Sequence, residues 1–162
     1  MNADAIRHLY AYHFAQNRTL WERAILPLPQ AQFVQPVAYS VGSVRDHIVH
    51  LMSVDDTWFC ALRGLELPNM LAPADFDDKQ QIRARWDNIE QTMRTYLAEL
   101  SDEHLNQKPF EGEDKDIWAW QALLQVVNHG TDHRAQVHRL VHDFGIPTVS
   151  QDYIFYAYEH LI

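Results

Sequence analysis

Histidine is the residue type in this chain whose number and spacing point most clearly to chemistry, with ten among 162 residues. Two pairs stand four residues apart: His129 with His133, and His138 with His142. Residues at this spacing share one face of a helix, so both imidazoles of a pair can reach one metal ion. Because roughly 0.6 such pairs are expected by chance at this composition, spacing alone does not make either pair a ligand pair.

The helical wheel separates the two pairs. Both pairs lie in one predicted helix, over residues 117–144. At ~100° per residue, His133 lies ~50° from the centre of the apolar face of this helix, His129 and His138 lie ~90° from it, and His142 lies ~130° from it. We therefore expect the first pair to point towards the protein interior and the second to be solvated.

Two ligands bind a metal weakly, so a third must come from another element. The predicted second helix offers His47 and His50. His47 lies nearer the apolar face of its helix, and the residues alone do not decide between them.

Two familiar metal sites do not fit the sequence. A zincin needs His-Glu-x-x-His, and neither histidine pair has a glutamate after its first histidine. A ferritin-like di-iron bundle needs Glu-x-x-His pairs, which this sequence lacks. These two kinds of metal site can therefore be set aside.

Composition narrows the classes of protein further. A length of 162 residues fits one domain, over residues 1–162. The net charge is -9, with 13 basic residues scattered among 22 acidic ones, which disfavours nucleic-acid binding. Without a long apolar run, neither a membrane span nor a signal peptide is expected. A single cysteine, Cys60, excludes an intrachain disulfide, and we expect a cytoplasmic protein.

Apolar residues at helical spacing predict four long helices that would position the histidines. Their approximate ranges are 3–25, 44–63, 80–100 and 117–144, with loops at 28–42, 65–74 and 111–116. Ser43 and Asp46 form a capping-box variant before the second helix, and Gly64 is a stop signal after it. A short turn is expected at 101–105, and a short helix packed on the bundle at 152–161. No strand pattern competes, so the fold class is an all-α four-helix bundle. The connection between helices two and three is a candidate crossover.

Three stretches of the sequence resemble the DinB/YfiT-like family of metal-dependent proteins. Residues 43–51, Ser-Val-Arg-Asp-His-Ile-Val-His-Leu, are similar to the family's second-helix motif. Residues 120–137, with Asn-His-Gly and Asp-His-Arg-Ala-Gln, are similar to its fourth-helix motif. Residues 152–156 resemble its C-terminal segment. Ala135 stands where glycine is common in the family.

The resemblance implies one divalent metal ion per chain, held by His50, His129 and His133 and completed by water. Zinc or nickel is expected, with iron, manganese and cobalt as alternatives. His47 then becomes a core histidine or a support for a ligand. The resemblance also implies a four-helix bundle with a nonstandard connection, and a homodimer.

Some relatives are thiol-dependent transferases or isomerases that use bacillithiol, mycothiol or glutathione. We therefore expect a metal-dependent thiol transferase, hydrolase or related enzyme acting on a small electrophile. The alternative is a non-catalytic metal-binding or stress-response module. The catalytic residues are unknown, since no side chain stands out as a general base.

The residues near His133 allow further predictions. Asp132 and Gln136 could orient the imidazoles, but a plain surface position is the better interpretation. Arg134 could clamp a carboxylate substrate, although a surface or dimer ion pair is favoured. Gly130 costs about 1 kcal/mol against alanine inside a helix, which indicates a close helix contact or a crowded site.

The tryptophans and the cysteine are expected to be structural. Trp58, Trp86 and Trp120 could line a pocket, but core packing is favoured. Cys60 lies on a mostly apolar helix, so a buried, inert thiol is expected.

Overall fold

The structure, a computed structural model, describes residues 1–76 and 78–160 of the chain. Within those ranges all regular structure is helical, which confirms the predicted all-α class. The helices are α1 (Ala3–Leu20), α2 (Gln30–Phe33), α3 (Val44–Leu62), α4 (Lys79–Glu99), α5 (Asp102–Leu105), α6 (Ala119–Asp143) and α7 (Tyr153–Glu159).

The helix ends follow the local signals of the sequence. The Ser43 hydroxyl accepts from the Asp46 amide and the Asp46 carboxylate accepts from the Ser43 amide, so the predicted capping box is confirmed. Gly64 has φ 65°, in the left-handed region that ends many helices. The first predicted helix does continue to Ile25, but its last turn, Trp21–Ile25, is wound as a π-helix.

Two predicted boundaries need correction. The loop expected at 28–42 contains α2, a single turn that follows Pro29 and buries Phe33 completely. Helix α6 begins at Ala119, two residues later than predicted, after a cap at Trp118 whose amide donates to the Gln121 side chain. Neither difference moves the histidine pair, which lies in the middle of α6.

The four long helices form a bundle in which α1 and α3 each pack against both α4 and α6. Helices α3 and α4 run parallel, because Asp55 contacts Trp86 while Leu62 and Leu100, near the two C-terminal ends, line one cavity. The chain after α3 must therefore return along the bundle before α4 starts. It does so beside α3, where the Leu71 amide donates to the Ser53 hydroxyl at 2.6 Å. The predicted crossover between helices two and three is thus observed.

Helix α6 runs antiparallel to α3, and this pairing brings the distant histidines together. Ser40, just before α3, contacts Gln136, whereas His50, further along α3, contacts the earlier residue His129 of α6. Trp86 lies in the core as expected, whereas Trp58 and Trp120 are only half-buried.

The C-terminal helix α7 packs on α1, as predicted. The rings of Tyr153 and Tyr156 lie 5.3 and 5.6 Å from that of Tyr12. Leu161, at the end of the helix predicted there, lies outside the described residues. No helix in the described part of the chain is both long and apolar enough to cross a membrane.

Candidate metal centre

Three histidines from two helices converge at the α3–α6 contact. One ring nitrogen from each of His50, His129 and His133 lies within 4.8 Å of the others. His50 Nε2 and His129 Nε2 are 3.1 Å apart. The ring centroids of His129 and His133 are 4.4 Å apart, as the i,i+4 spacing predicts. The structure therefore brings together the same three histidines that the family resemblance named.

The geometry and the donor set fit a metal ion. Two nitrogens bound to one tetrahedral zinc at about 2.0–2.1 Å lie about 3.3 Å apart. The 3.1 Å between the His50 and His129 nitrogens is close to this value. Imidazole nitrogen is a preferred ligand of zinc, nickel and iron. The three side chains could thus hold one such ion.

The protein environment keeps the three imidazoles neutral, which is the form that binds metal. Burial, with smaller contributions from the neighbouring His133 and His50, lowers the pKa of His129 to about 4. Burial also lowers the pKa of His50, with His133 and His47 adding to the effect. The pKa of His133 is lowered by burial and then by His47. Protons therefore compete weakly for these nitrogens near neutral pH.

His47 lies beside the three histidines but outside their cluster. It is fully buried, and its Nδ1 donates to the main-chain carbonyl of Ser43 at 2.8 Å. Its ring meets that of His133 edge-on, with centroids 5.8 Å apart, and Tyr39 stacks on its other side. This arrangement matches the expectation of a core histidine that supports a ligand.

Asp132 and Gln136 form a polar chain next to His133. The Gln136 amide donates to Asp132 at 3.1 Å, and its carbonyl oxygen accepts from Ser40 at 2.6 Å. The Asp132 charge and a hydrogen bond that the Gln136 side chain accepts from His133 both raise the pKa of His133, although burial and His47 outweigh them. Asp132 is exposed as expected, while Gln136 is half-buried and contacts the candidate ligand.

The surface position expected for Arg134 is wrong. The side chain is fully buried between α1 and α6, with 0% of its area exposed. Its guanidinium donates to Asn17 at 2.9 Å and to Gln151 at 2.7 Å, and lies 3.2 Å from His13 Nδ1. Burial lowers the pKa of Arg134 to about 10, which leaves it charged at neutral pH. The reason for the error is that its partners lie in α1 and the C-terminal segment, which a wheel of α6 alone does not show.

The close contact predicted at Gly130 is present. A Cβ at this position would lie 2.5 Å from His13 Cε1 and 2.9 Å from the Arg134 guanidinium. The glycine therefore lets α1 approach α6 directly behind His129. His13 was not predicted to matter, and the glycine in mid-helix was the signal that a large neighbour lies there.

Two further expectations are corrected. His138 was expected to be solvated, but only 7% of it is exposed. Burial and, after it, the nearby charge of Arg134 lower its pKa. Its partner His142 is exposed, as predicted. Cys60 is half-buried rather than buried. Its pKa is raised by burial and by Asp56, which favours the protonated thiol, and an unreactive cysteine stays a prediction.

A comparison with known families decides the relationship that the motifs indicated. The model of the DinB family matches residues 1–160. The chain belongs to the DinB family. A curated DinB-family relative, "Protein DinB" of Bacillus subtilis (strain 168), is 27% identical over 170 residues. That match covers 96% of this chain and 95% of the relative, so the DinB resemblance extends beyond the three motifs.

Proposed function

We propose that this DinB-family chain binds one divalent metal ion through His50, His129 and His133. The observation that carries the proposal is the convergence of three neutral imidazoles, with two of their nitrogens 3.1 Å apart. Zinc or nickel is the expected ion, and iron, cobalt and manganese are the alternatives. A cytoplasmic location and a homodimer stay predictions for this chain.

We further propose that the site is catalytic. Three protein ligands leave coordination positions for water or substrate, whereas a structural zinc site closes all four. An ion held in this way would lower the pKa of a coordinated water or thiol. His50 also lines a surface groove, so small molecules have a route to the three histidines. These features favour an enzyme over a closed metal-binding module.

The reaction that fits best is transfer of a thiol to a small electrophile. In such a transfer, the thiolate sulfur forms a bond to the electrophilic carbon, the leaving group departs with the bonding electrons, and the thiol proton passes to solvent. The chain's part is to keep its three imidazoles neutral and to hold the His133 ring through Gln136. Cys60 takes no part, because its raised pKa makes it a poor nucleophile.

Cobalt substitution tests the proposal. Protein loaded with Co(II) should change its visible spectrum when glutathione is added, and a sulfur-to-cobalt charge-transfer band should appear. His142→Ala is the matched control, because this exposed histidine lies on the same helix away from the cluster. It should behave like the parent, whereas His133→Ala should show no band.

The opposite result would favour the non-catalytic module. If a panel of low-molecular-weight thiols leaves the spectrum of fully loaded protein unchanged, the transferase proposal is wrong. If Co(II) does not bind at all, the proposed metal site is wrong as well.

A further inference from the structure

A turn at residues 39–42 leads into α3 and reaches α6 at the candidate metal centre. The Gly42 amide donates to the Tyr39 carbonyl at 3.0 Å, which closes the turn. Ser40, its second residue, has φ 49°, and within residues 1–76 and 78–160 no other residue except glycine has a positive φ. Glycine is the usual residue where a turn requires this conformation, because a side chain makes it unfavourable. A serine here therefore points to a role for its hydroxyl.

The partner of the Ser40 hydroxyl lies on α6. The hydroxyl donates to the side-chain oxygen of Gln136 at 2.6 Å. This bond is exposed to solvent, where water competes for both groups, so it adds little to the stability of the fold. It does fix the direction of the Gln136 side chain, whose nitrogen also donates to Asp132 at 3.1 Å. Gln136 is thus held at its oxygen and its nitrogen in the place where it accepts from His133.

The same turn reaches His133 by a second route. The ring of Tyr39 stacks on that of His47, with centroids 6.4 Å apart and planes 24° from parallel. The His47 ring meets that of His133 edge-on at 5.8 Å, and the Ser43 carbonyl holds its Nδ1 at 2.8 Å. His133 therefore contacts two side chains, Gln136 and His47, and adjacent residues of one turn contact both of them.

We propose that the 39–42 turn positions the His133 imidazole for the metal ion. Its serine acts through Gln136, and its tyrosine acts through His47. The inference rests on the proposed metal site, because His133 is one of the three ligands. A ligand imidazole binds best when its ring is held in one orientation, and loss of a group that holds it lowers metal affinity about 10–100-fold. The two turn residues are one step further from the ion, so each should contribute about tenfold, at the lower end of this range.

Glycine and alanine at position 40 separate positioning from folding. Ser40→Gly removes the hydroxyl but suits the positive φ, so the Tm of the metal-free protein should stay close to that of the parent. Its affinity for Zn(II), measured by competition with a chromophoric chelator, should nevertheless fall about tenfold. Ser40→Ala should lose affinity to the same extent. The control is Ala38→Gly, which adds a glycine at an exposed position just before the turn and should bind Zn(II) like the parent.

Variants of the intermediate side chains test the two routes. Gln136→Leu should weaken Zn(II) binding about 10–100-fold, whereas Gln136→Glu keeps an acceptor and should bind at least as tightly as the parent. In the Gln136→Leu protein, Ser40→Gly should have no further effect. Tyr39→Leu should weaken binding about tenfold, and Tyr39→Phe, which keeps the ring, should not. Gln91→Leu, which changes an exposed glutamine of α4, is the control for the loss of an amide.

NMR of the Co(II)-loaded protein shows the effect on the ring itself. The N–H protons of imidazoles bound to Co(II) give strongly shifted signals, which disappear in deuterated water as they exchange. One such signal should exchange faster in Ser40→Gly and Gln136→Leu than in the parent and Ala38→Gly, because the N–H of His133 loses its fixed acceptor. A general loosening of the fold would instead speed the exchange of all these signals together.

Several results would overturn the inference. They are a Ser40→Gly or Tyr39→Leu protein that binds Zn(II) like the parent, an Ala38→Gly protein that loses as much affinity, and affinities that fall only in step with the Tm. A full further loss when Ser40→Gly is added to Gln136→Leu would overturn the route through Gln136.

Failure of the proposed function gives a different result, because the parent then takes up no metal. The positioning by the turn is in that case decided on the metal-free protein. Ser40→Gly should change the NMR shifts of the ring nitrogens of His133 more than those of His129, and equal changes in the two rings would overturn the inference.

Discussion

Replacing Gly130 by alanine tests how closely α1 and α6 approach behind the candidate metal centre. An alanine in mid-helix gains about 1 kcal/mol over glycine from helix propensity. Its methyl group would lie 2.5 Å from His13 Cε1 and 2.9 Å from the Arg134 guanidinium. Both neighbours are fully buried, so neither can swing into solvent. Overpacking of this kind costs roughly 1–3 kcal/mol, and a 2.5 Å contact belongs at the upper end. We expect a net loss of about 2 kcal/mol.

Thermal unfolding of the metal-free protein, followed by circular dichroism, measures this loss. A change of 2 kcal/mol should lower the Tm by roughly 4–8 °C in a chain of this length. In a His13→Ala background the closest contact is gone and the Arg134 guanidinium can shift into the space that the imidazole leaves, so the same substitution should cost clearly less than it does in the parent. If Gly130→Ala stabilises the parent protein by that amount, the close approach of α1 and α6 is wrong.

Four further predictions concern the cluster and its buried neighbours. By calorimetric titration, His50→Ala should abolish tight metal binding while His47→Ala weakens it about 10–100-fold, and the reverse order would assign the ligand to His47. The pKa values of the three clustered histidines are lowered, that of His129 to about 4. Metal should therefore stay bound below pH 6.5, where ordinary imidazoles protonate, and be lost steeply towards pH 4; complete loss by pH 6 would contradict this. In the metal-free protein the same shifts mean that the unfolded chain takes up protons at these histidines first, so in denaturant titrations the free energy of unfolding of the parent should fall more steeply than that of His129→Ala as the pH drops from about 6.5 towards 4. Arg134→Met should cost about 3 kcal/mol, because it leaves the buried Asn17 oxygen and the half-buried Gln151 oxygen without their donor, and a loss below about 1 kcal/mol in urea unfolding would argue against that network.

The fold was predicted from sequence signals between neighbouring residues. The capping box at Ser43, the stop at Gly64 and the apolar spacing of α4 are properties of neighbouring residues, so they could be recognised without the structure. The π-helical turn at Trp21–Ile25 and the short helix α2 could not, because they depend on how the chain leaves α1 to reach α3. The crossover could be named as a candidate, but only the parallel packing of α3 and α4 shows it.

In the candidate site, too, some features follow from a single helix and others depend on how the helices pack. The spacing of His129 and His133 predicted that their rings would meet, since this follows from one helix. The choice between His47 and His50 depends on how α3 faces α6, and the apolar face of α3 favoured His47. The structure shows why: His47 is the more buried of the two, but its ring is tied to the Ser43 carbonyl, while His50 reaches His129.

Arg134 shows the limit of reading one helix at a time. Its partners in α1 lie 117 and 121 residues away in the sequence, so nothing near it indicates burial. Its burial depends on tertiary packing, which periodicity does not describe.

Elemental analysis of the purified protein tests the central claim most directly. The parent should carry close to one divalent ion per chain, and His142→Ala, which changes an exposed histidine of the same helix, should carry as much. His129→Ala should lose nearly all of it, because two imidazoles are too few for tight binding. A His129→Ala protein that holds as much metal as the parent would contradict the three-histidine centre.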